Sequence, residues 1–586
     1  MWFISRRPGK RSRDYALARR FVPRLEILEN RTVPSTLTVL NNLDSGAGSL
    51  RDAITHAKDG DTIVFNPSLK GQTITLTSDQ ITINNSLDIE GPGAGLLTIS
   101  GNDTNRVFDI SEGHTVTIAG LTITHGRAQG AGSGGGGILN VGSTLIVAND
   151  VLSNNEAIDG VAADGGAIAN RNGATLTVSQ STFIGNQAIG SGNGASGYGG
   201  GIYNIHRSTA TVSGSTFTGN RAIGGGSGGA TSGQPFVGLG EGGGIYNEGT
   251  SSGATLTVEN STFTGNQAIG GNGGSGGKGP GFSSVDSAFG GGIMSTVGGT
   301  LVVSGSAFAY NQAIGGSNAV GATSGASFVG RGEGGGLRNA GVGTVTNSTF
   351  IVNEALGGSG STGGSNAIEI GAAEGGGLAN GQTSLTVNSC TFSSNQAVGG
   401  AGNTGGAFPG AGIGGALANS VGVRGAAATA TVSNSTFRGN EAVGGQGSAG
   451  ANGADGLGGG LANVLGATLT VSSCTLTGNQ AIGGTGGAAG NGGNGFGGGI
   501  YNDGLSLNPD NAGSPATLTV TGSIITDNQA TSGTAGSGGN VGQGLGGGVY
   551  FASGGVVCLD PFTSMSISGN TASTSNDDVF GVFAIC

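Results

Sequence analysis

Apolar and polar residues alternate in short segments that return along most of the chain. In residues 255–258 (Thr-Leu-Thr-Val) every second side chain is apolar, which is the pattern of a β-strand with one buried face. The phrase Ser-Thr-Phe-Thr-Gly-Asn-Gln-Ala follows at 261–268, and a glycine-rich opening, as in 242–247, precedes the strand. The alternation therefore predicts repeats of three parts, with Leu256, Val258 and Phe263 inside and the threonines outside.

The Phe-x-x-Asn phrase recurs from Leu152 to Ile567 at an average spacing of about 42 residues, with steps of 31 to 49. A fixed phrase at a drifting period predicts a stack of equivalent coils with loops of unequal length. Coils stacked in register would form one internal column of phenylalanines and two columns of asparagines at turns, where an amide can donate to one coil and accept from the other. The predicted columns are Phe183, Phe217, Phe263, Phe308, Phe350, Phe392 and Phe437; Asn186, Asn220, Asn266, Asn311, Asn353, Asn395 and Asn440, with weaker copies from Asn155 to Asn570; and Asn140, Asn170, Asn204, Asn247, Asn339, Asn380, Asn419, Asn463 and Asn502.

Four segments follow from this pattern. Residues 1–35 are predicted to be a disordered, basic export or sorting segment. Residues 36–128 are predicted to hold plain coils and an N-terminal cap, because Ser49 to Asp52 opens a short amphipathic helix that can cover the first coil. Residues 129–570 carry the repeats with glycine-rich loops, which are either an interaction side or flexible spacer. Residues 571–586 break the pattern and are predicted to form a C-terminal cap.

Composition and charge exclude some function classes. The chain has 586 residues, of which 132 are Gly and 9% are charged. Residues 1–31 hold nine Lys/Arg and three Asp/Glu, which leaves 13 basic and 30 acidic residues, a net −17, for the rest. A nucleic-acid role is therefore not expected, since phosphate binding needs a basic face. No run of apolar residues is long enough for a transmembrane helix.

The four cysteines are too few for a disulfide framework. Cys390 and Cys474 fall in coils two apart, and at about 4.8 Å per coil they are too far apart to bridge. Cys558 and Cys586 both lie near the C-terminus, where the sequence leaves open whether they pair or remain small buried apolar residues.

The Gly-Gly-Ala-Ile of 165–168 with Phe183 and Asn186 resembles the GGAI and FxxN repeats of chlamydial polymorphic outer membrane proteins. Over residues 36–586 the chain resembles bacterial right-handed parallel β-helix proteins. This resemblance implies an all-β, single-domain, right-handed parallel β-helix of about fifteen coils with a short N-terminal capping helix. Lyases, hydrolases, adhesins and passenger domains share this fold, so it implies no single activity.

Two further resemblances concern the N-terminal part. Residues 43–65 are similar to the CSLREA opening segment of extracellular β-helix proteins, with Gly48 in place of the cysteine. Residues 24–34 (Arg-Leu-Glu-Ile-Leu-Glu-Asn-Arg-Thr-Val-Pro) are similar to the N-terminal segment of planctomycete surface proteins. Both resemblances imply export to the cell surface.

One candidate site lies in a column of positions four residues before the apolar residue that opens each repeat. Successive coils carry there Asp164, Tyr198, Glu241, Phe289, Glu333, Glu374, Ile413 and Leu457. Glu333 and Glu374 occupy it in adjacent coils, Arg338 follows Glu333, and Glu354 precedes the loop that returns at Glu374. Three carboxylates and an arginine could bind Ca²⁺ with an acidic sugar, or act as an acid/base pair. The alternative is an exposed ridge whose like charges spread into water.

Tyr203 and Tyr246 are outward neighbours one coil apart. They are candidates for stacking on sugar rings, and the alternative is ordinary decoration of a strand.

The sequence therefore predicts an exported, non-catalytic, monomeric β-helix rod that is secreted or associated with the cell surface or outer membrane. It would serve adhesion, envelope structure or glycan contact, with cell-surface glycans or other envelope proteins as partners. No cofactor is predicted apart from the Ca²⁺ considered above. The alternative is a polysaccharide lyase or glycoside hydrolase acting on an acidic polysaccharide, with Glu333, Glu374 and Arg338 as the catalytic candidates.

Overall fold

The computed structural model describes residues 9, 34–130, 132, 134–230, 234–249, 253–277, 283–323, 326–364, 366–420, 428–503 and 515–586. The predicted sorting segment 1–35 lies outside them, except for residues 9, 34 and 35. In the described part the chain winds into a right-handed parallel β-helix, which confirms the predicted fold class. None of its helices is long and apolar enough to cross a membrane.

One coil defines the six sheets in chain order. Sheet A contains Gly240–Glu241, sheet B Ile245–Asn247, sheet C Thr255–Glu259, sheet D Thr262–Thr264, sheet E Gln267–Ile269 and sheet F Ser283–Val285. In the same order, the sheets have 10, 14, 16, 14, 12 and 5 strands among the described residues. Each strand pairs in parallel with the equivalent strand of the next coil, as Phe263 pairs with Phe308. The sixteen strands of sheet C correspond to the predicted fifteen or so coils.

The strands of the coils around the candidate site are Ser196–Tyr198, Ile202–Asn204, Thr209–Ser213, Thr216–Thr218, Arg221–Ile223, Phe236–Val237, Gly240–Glu241, Ile245–Asn247, Thr255–Glu259, Thr262–Thr264, Gln267–Ile269, Ser283–Val285, Ala288–Phe289, Ile293–Ser295, Thr300–Ser304, Ala307–Ala309, Gln312–Ile314, Ser327–Val329, Gly332–Glu333, Leu337–Asn339, Val342–Thr346, Thr349–Ile351, Glu354–Leu356, Ala367–Ile370, Ala373–Glu374 and Leu378–Gly381. The strands before them run from Thr36–Val39 to Gln187–Gly190, and those after them from Ser384–Asn388 to Ala584–Ile585. Two α-helices, Leu50–His56 and Pro561–Met565, and a 3₁₀ turn, Pro67–Leu69, complete the elements.

A stack of phenylalanine rings lies on the inner face of sheet D. Seven fully buried rings follow one another from Phe183 to Phe437. Successive ring centroids are 4.5–4.9 Å apart and the ring planes differ by 4–7°. The spacing is that of parallel strands, so each ring packs on the equivalent ring of the neighbouring coil.

The asparagine that follows each ring links three coils. Asn266 Nδ2 donates to Asn311 Oδ1 and to the carbonyl oxygen of Phe217, each at 2.9 Å. Its Oδ1 accepts from the backbone N–H of Asn220 at 3.0 Å and from Asn220 Nδ2 at 2.9 Å. The same pattern of Nδ2–Oδ1 bonds runs from Asn155 to Asn570. These bonds satisfy the polar groups of asparagine side chains that are completely buried, as in Asn220, Asn266 and Asn311.

A second asparagine column follows the strands of sheet B. Asn140, Asn170, Asn204 and Asn247 are joined by Nδ2–Oδ1 bonds of 2.8 Å. In the next coil Ser295 takes the place of the asparagine, and its Oγ accepts from Asn247 Nδ2 at 3.2 Å. Its later members are Asn339, Asn380, Asn419, Asn463 and Asn502, joined at 2.8–2.9 Å.

The two ends of the coil stack differ. At the N-terminal end, Ser49 Oγ caps helix Leu50–His56 by accepting from the Asp52 N–H, and Leu50 and Ile54 are buried in the core. At the other end, Thr571–Ala572, Val579–Phe580 and Ala584–Ile585 pair with the preceding coil. Residues 571–586 therefore extend three sheets by one more layer.

Around the candidate site the glycine-rich segments form buried strands, which contradicts the spacer alternative there. Ser283–Val285 and Ser327–Val329 belong to sheet F, and all six residues are buried. This covering layer lies over the outer face of sheet B, where Tyr246, Leu239 and Phe289 share a second hydrophobic cluster. Glycine permits the close stacking, because a Cβ on Gly243 would lie 2.4 Å from the carbonyl oxygen of Gly291.

The cysteines fall into two groups. Cys390 and Cys474 are buried thiols, as expected from their separation. Cys558 and Cys586 form a disulfide with 5.6 Å between their Cα atoms. The pairing that the sequence left open is therefore present, and it ties the end of the chain to sheet C.

Candidate functional site

The site begins with one column of sheet A. Strand pairing places Glu241, Phe289, Glu333 and Glu374 opposite one another in four successive coils. After each of them a glycine turns the chain into sheet B; Gly242, for example, has a φ of +66°, which favours glycine. The column therefore runs along the edge where sheet A meets sheet B, beneath the covering layer.

Glu333 and Glu374 are buried, so the alternative of an exposed acidic ridge is wrong for these two residues. Each has only 2% of its surface exposed, because the covering layer encloses this column. That layer supplies Arg331, in the turn between Ser327–Val329 and Gly332–Glu333. It also supplies Glu369, which an irregularity in the pairing of sheet F places opposite Phe328.

These residues form an ion cluster, defined as Arg331, Glu333, Arg338, Glu369 and Glu374. Arg331 Nη1 lies 2.6 Å from Glu333 Oε1, 2.7 Å from Glu369 Oε2 and 3.9 Å from Glu374 Oε1. Arg338 Nε donates to Glu333 Oε2. Aromatic rings complete the enclosure, since Arg331 Cζ lies 4.0 Å from the ring centroid of Phe328 and Arg338 Cζ lies 5.2 Å from that of Phe289.

The surroundings of the cluster shift the pKa values of two of its members. Burial, together with the neighbouring Glu369 and Glu333, raises the pKa of Glu374 well above its usual value, which favours the neutral form of this acid. Burial alone would lower the pKa of Arg331, but Glu333, Glu369 and Glu374 outweigh it and raise that pKa. Two arginines therefore lie among three carboxyl groups, one of which, that of Glu374, has a raised pKa.

The Ca²⁺ considered from the sequence does not suit this cluster. Oxygen atoms of Glu333, Glu369 and Glu374 lie within 4.8 Å of one another, which is close enough for one metal ion. Arg331 Nη1 already lies among them and supplies the positive charge, whereas Ca²⁺ takes six to eight oxygen ligands.

Glu354 and the tyrosine pair depart from expectation. Glu354 lies in sheet E, where its Oε2 accepts from Gln312 Nε2 at 2.7 Å, and it is not part of the ion cluster. Tyr203 and Tyr246 do pack against one another, with ring centroids 5.4 Å apart and planes 9° apart. Both are only 6% exposed, because the covering layer closes over them. The two rings are therefore outward neighbours on sheet B, as expected, but they are covered and do not lie on the surface of the protein.

A pocket of about 320 Å³ lies beside the ion cluster, between sheet B and the covering layer. Tyr246 and Tyr198, whose ring centroids are 4.9 Å apart, form part of its wall, and Tyr203 lies behind Tyr246. Arg338 belongs to both the pocket and the cluster; its Nη1 has no hydrogen-bond partner among the described residues. The complete lining is Tyr198, Phe236, Leu239, Glu241, Tyr246, Glu248, Ser284, Phe289, Met294, Thr296, Val297, Arg338, Ala340 and Gln382.

Glu241 gives the pocket a second polar group of interest. Burial raises its pKa to about 8; Arg338 opposes this shift, while Glu248 and Glu333 add to it. At neutral pH Glu241 is therefore a neutral acid that can donate a hydrogen bond.

Arg331, Glu369 and Glu241 were not among the residues predicted from the sequence. Arg331 carried a weak signal, because basic residues are scarce after residue 31 and it stands two positions before Glu333. Glu241 stands in the same column of sheet A as Glu333 and Glu374. Glu369 carried no signal, since its position depends on the irregular pairing in sheet F.

A scan against protein-family models and a search of the curated proteins both find no match. Among solved structures, the chain is similar to the catalytic unit of a GH87 alpha-1,3-glucanase from Streptomyces thermodiastaticus strain HF3-3, with 12% identity, a TM-score of 0.29, and coverage of 83% of this chain and 68% of that one. It is also similar to a chain of the Vag8–C1 inhibitor complex (11%, TM-score 0.31, 94% and 99% covered) and to the PL6 family alginate lyase AlyGC (10%, TM-score 0.22, 93% and 100% covered). At these TM-scores the similarities support no statement about activity.

Proposed function

We propose that the chain is an exported, non-catalytic β-helix protein of the cell surface that contacts glycans. The observation that carries this proposal is the pocket beside the ion cluster, which combines aromatic walls with a few hydrogen-bonding groups. Such a combination suits sugars, whose C–H faces pack on aromatic rings while their hydroxyl groups need polar partners.

The enclosure of the predicted catalytic residues supports a non-catalytic role. A general acid or base must come within about 3 Å of the atom it serves. Glu333 and Glu374 are buried and engaged within the ion cluster, and Arg338 Nε is directed to Glu333. A polymer would have to displace the covering layer to reach the carboxyl groups of Glu333 and Glu374, which do not line the pocket.

Glu241 favours a second candidate function, a glycoside hydrolase or polysaccharide lyase. A buried carboxyl group with a pKa of about 8 holds a proton at neutral pH and could protonate a leaving group in the pocket. Glu248 lines the same pocket and carries the second carboxyl group among its lining residues.

The experiment that separates these functions uses the full chain on acidic and neutral polysaccharides, with and without Ca²⁺. Binding is measured together with the release of reducing ends and the absorbance of unsaturated uronates. We expect binding without turnover. Turnover that disappears in Glu241→Gln would make the protein an enzyme, and a folded chain that neither binds nor cleaves any glycan would contradict the proposal.

The export part of the proposal rests on residues 1–35. They carry the excess of basic residues and the similarity to planctomycete surface proteins. We expect the full chain in the envelope or medium fraction of its host and a chain lacking residues 1–35 inside the cell. Equal distribution of the two chains would contradict this role.

A further inference from the structure

We propose that the pocket between sheet B and the covering layer binds a neutral N-acetylhexosamine residue, with the acetamido oxygen at Arg338 Nη1 and the sugar ring against Tyr246. The inference rests on the proposed glycan contact and adds the class of sugar. The volume of the pocket, about 320 Å³, is at the lower end of the range for small-molecule pockets, which suits the end of a glycan.

The guanidinium group of Arg338 is the main evidence for a bound ligand. Its side chain is 5% exposed, yet Nη1 has no hydrogen-bond partner among the described residues. A buried donor without a partner is unfavourable, and an acceptor bound in the pocket would satisfy it. The guanidinium group is held in place by Glu333 at Nε and by the ring of Phe289.

The charges of the pocket favour a neutral ligand. The positive charge of Arg338 is already matched by Glu333, so Nη1 offers a donor without net charge. Glu241 is neutral at pH 7. An acidic sugar would bring a carboxylate into a pocket whose lining residues contain no cation besides Arg338, whereas a carbonyl oxygen suits Nη1 equally well.

The apolar lining favours an acetamido sugar over a plain hexose. Leu239, Met294 and Phe289 surround the polar groups, and they can take up a methyl group that a simple hydroxyl would leave without contacts. Tyr246 provides a ring face, and its packing against Tyr203 and Tyr198 keeps that face in one orientation.

Calorimetric titration of the full chain tests the inference with three disaccharide probes. They are N,N′-diacetylchitobiose, cellobiose as the neutral sugar without acetamido groups, and a galacturonic acid disaccharide. We expect the diacetylated probe to bind at least about tenfold more tightly than the other two, a difference of roughly 1.4 kcal/mol.

Two variants and a matched control locate the binding. Tyr246→Ala removes the ring face, and Arg338→Lys keeps a positive charge beside Glu333 but removes Nη1; each should weaken binding by about tenfold or more. Tyr501 occupies the equivalent column of sheet B, is also 6% exposed and lies outside the pocket, so Tyr501→Ala should leave binding unchanged.

The outcomes distinguish this inference from the proposed function. Equal or tighter binding of cellobiose or the uronic acid probe, or binding of the diacetylated probe that Tyr246→Ala leaves intact, would overturn the inference while glycan contact stands. If none of the three probes and no polysaccharide binds to the folded chain, both fail together.

Discussion

Replacing Asn266 by alanine tests whether the buried asparagine column holds the coils together. The side chain makes two donated and two accepted hydrogen bonds, which reach Asn220, Phe217 and Asn311. Asn311 Oδ1 keeps the backbone N–H of Asn266 as a donor after the substitution. The backbone N–H of Asn220 and one hydrogen of its Nδ2, however, lose their acceptor, and Asn220 is fully buried.

These two lost partners set the magnitude. A buried donor without an acceptor costs about 1–3 kcal/mol, so Asn266→Ala should lower the free energy of unfolding by about 2–6 kcal/mol. Because contacts in a solenoid are mainly between neighbouring coils, the loss should be local. Amides of the three coils that carry Asn220, Asn266 and Asn311 should exchange faster, while those near Asn155 should not.

Urea unfolding gives the total loss, and hydrogen exchange followed by mass spectrometry gives its location. Thr264→Ala is the matched control, since Thr264 lies in the same strand region but faces outward and is partly exposed. The reasoning is refuted if Asn266→Ala loses no more stability than Thr264→Ala, or if the faster exchange spreads evenly over all coils.

Three further predictions concern other buried groups. Arg331→Ala leaves buried carboxylates without their cation and should cost about 3–5 kcal/mol in urea unfolding, whereas Arg438→Ala, at an exposed strand position, should cost little. Burial raises the pKa of Asp150 from 3.8 to about 7, so the folded state binds its proton more tightly; stability should fall as pH rises from about 4 to 7, and Asp150→Asn should reduce that slope. Cys390 and Cys474 are buried, and burial raises the pKa of the Cys390 thiol to about 11, so neither should react with a thiol reagent until its coil unfolds.

The sequence was sufficient for the fold because two signals agreed. Alternation in 255–258 indicated which side chains face inward, and the recurrence of Phe263 and Asn266 indicated which coils stack. Both signals depend on local chain geometry and on contacts that repeat identically, so one coil suffices to infer the others.

The site was harder to predict because the sequence of the covering layer shows little alternation of apolar and polar residues. The spacing of the column predicted that Glu333 lies beside Glu374, and the strand pairing agrees. The glycine-rich segments that bury both residues, however, have the composition of a flexible spacer. Arg331 and Glu369 come from those segments. Glu354 was misplaced for a related reason: it is near Glu374 in sequence, but the intervening chain passes through sheet F before it returns to sheet A.

The repetition of equivalent contacts also bears on how such a chain can change over evolutionary time. Between Phe183 and Phe437, successive coils present the same ring, the same amide and the same glycine turn to both neighbours, as Phe263 does between Phe217 and Phe308. Duplicating or deleting one whole coil, about 42 residues here, would join surfaces that already match. Unequal recombination between the repeats can therefore alter the length of the protein without redesigning its interior, whereas the coils that carry the pocket and the ion cluster cannot be exchanged in this way.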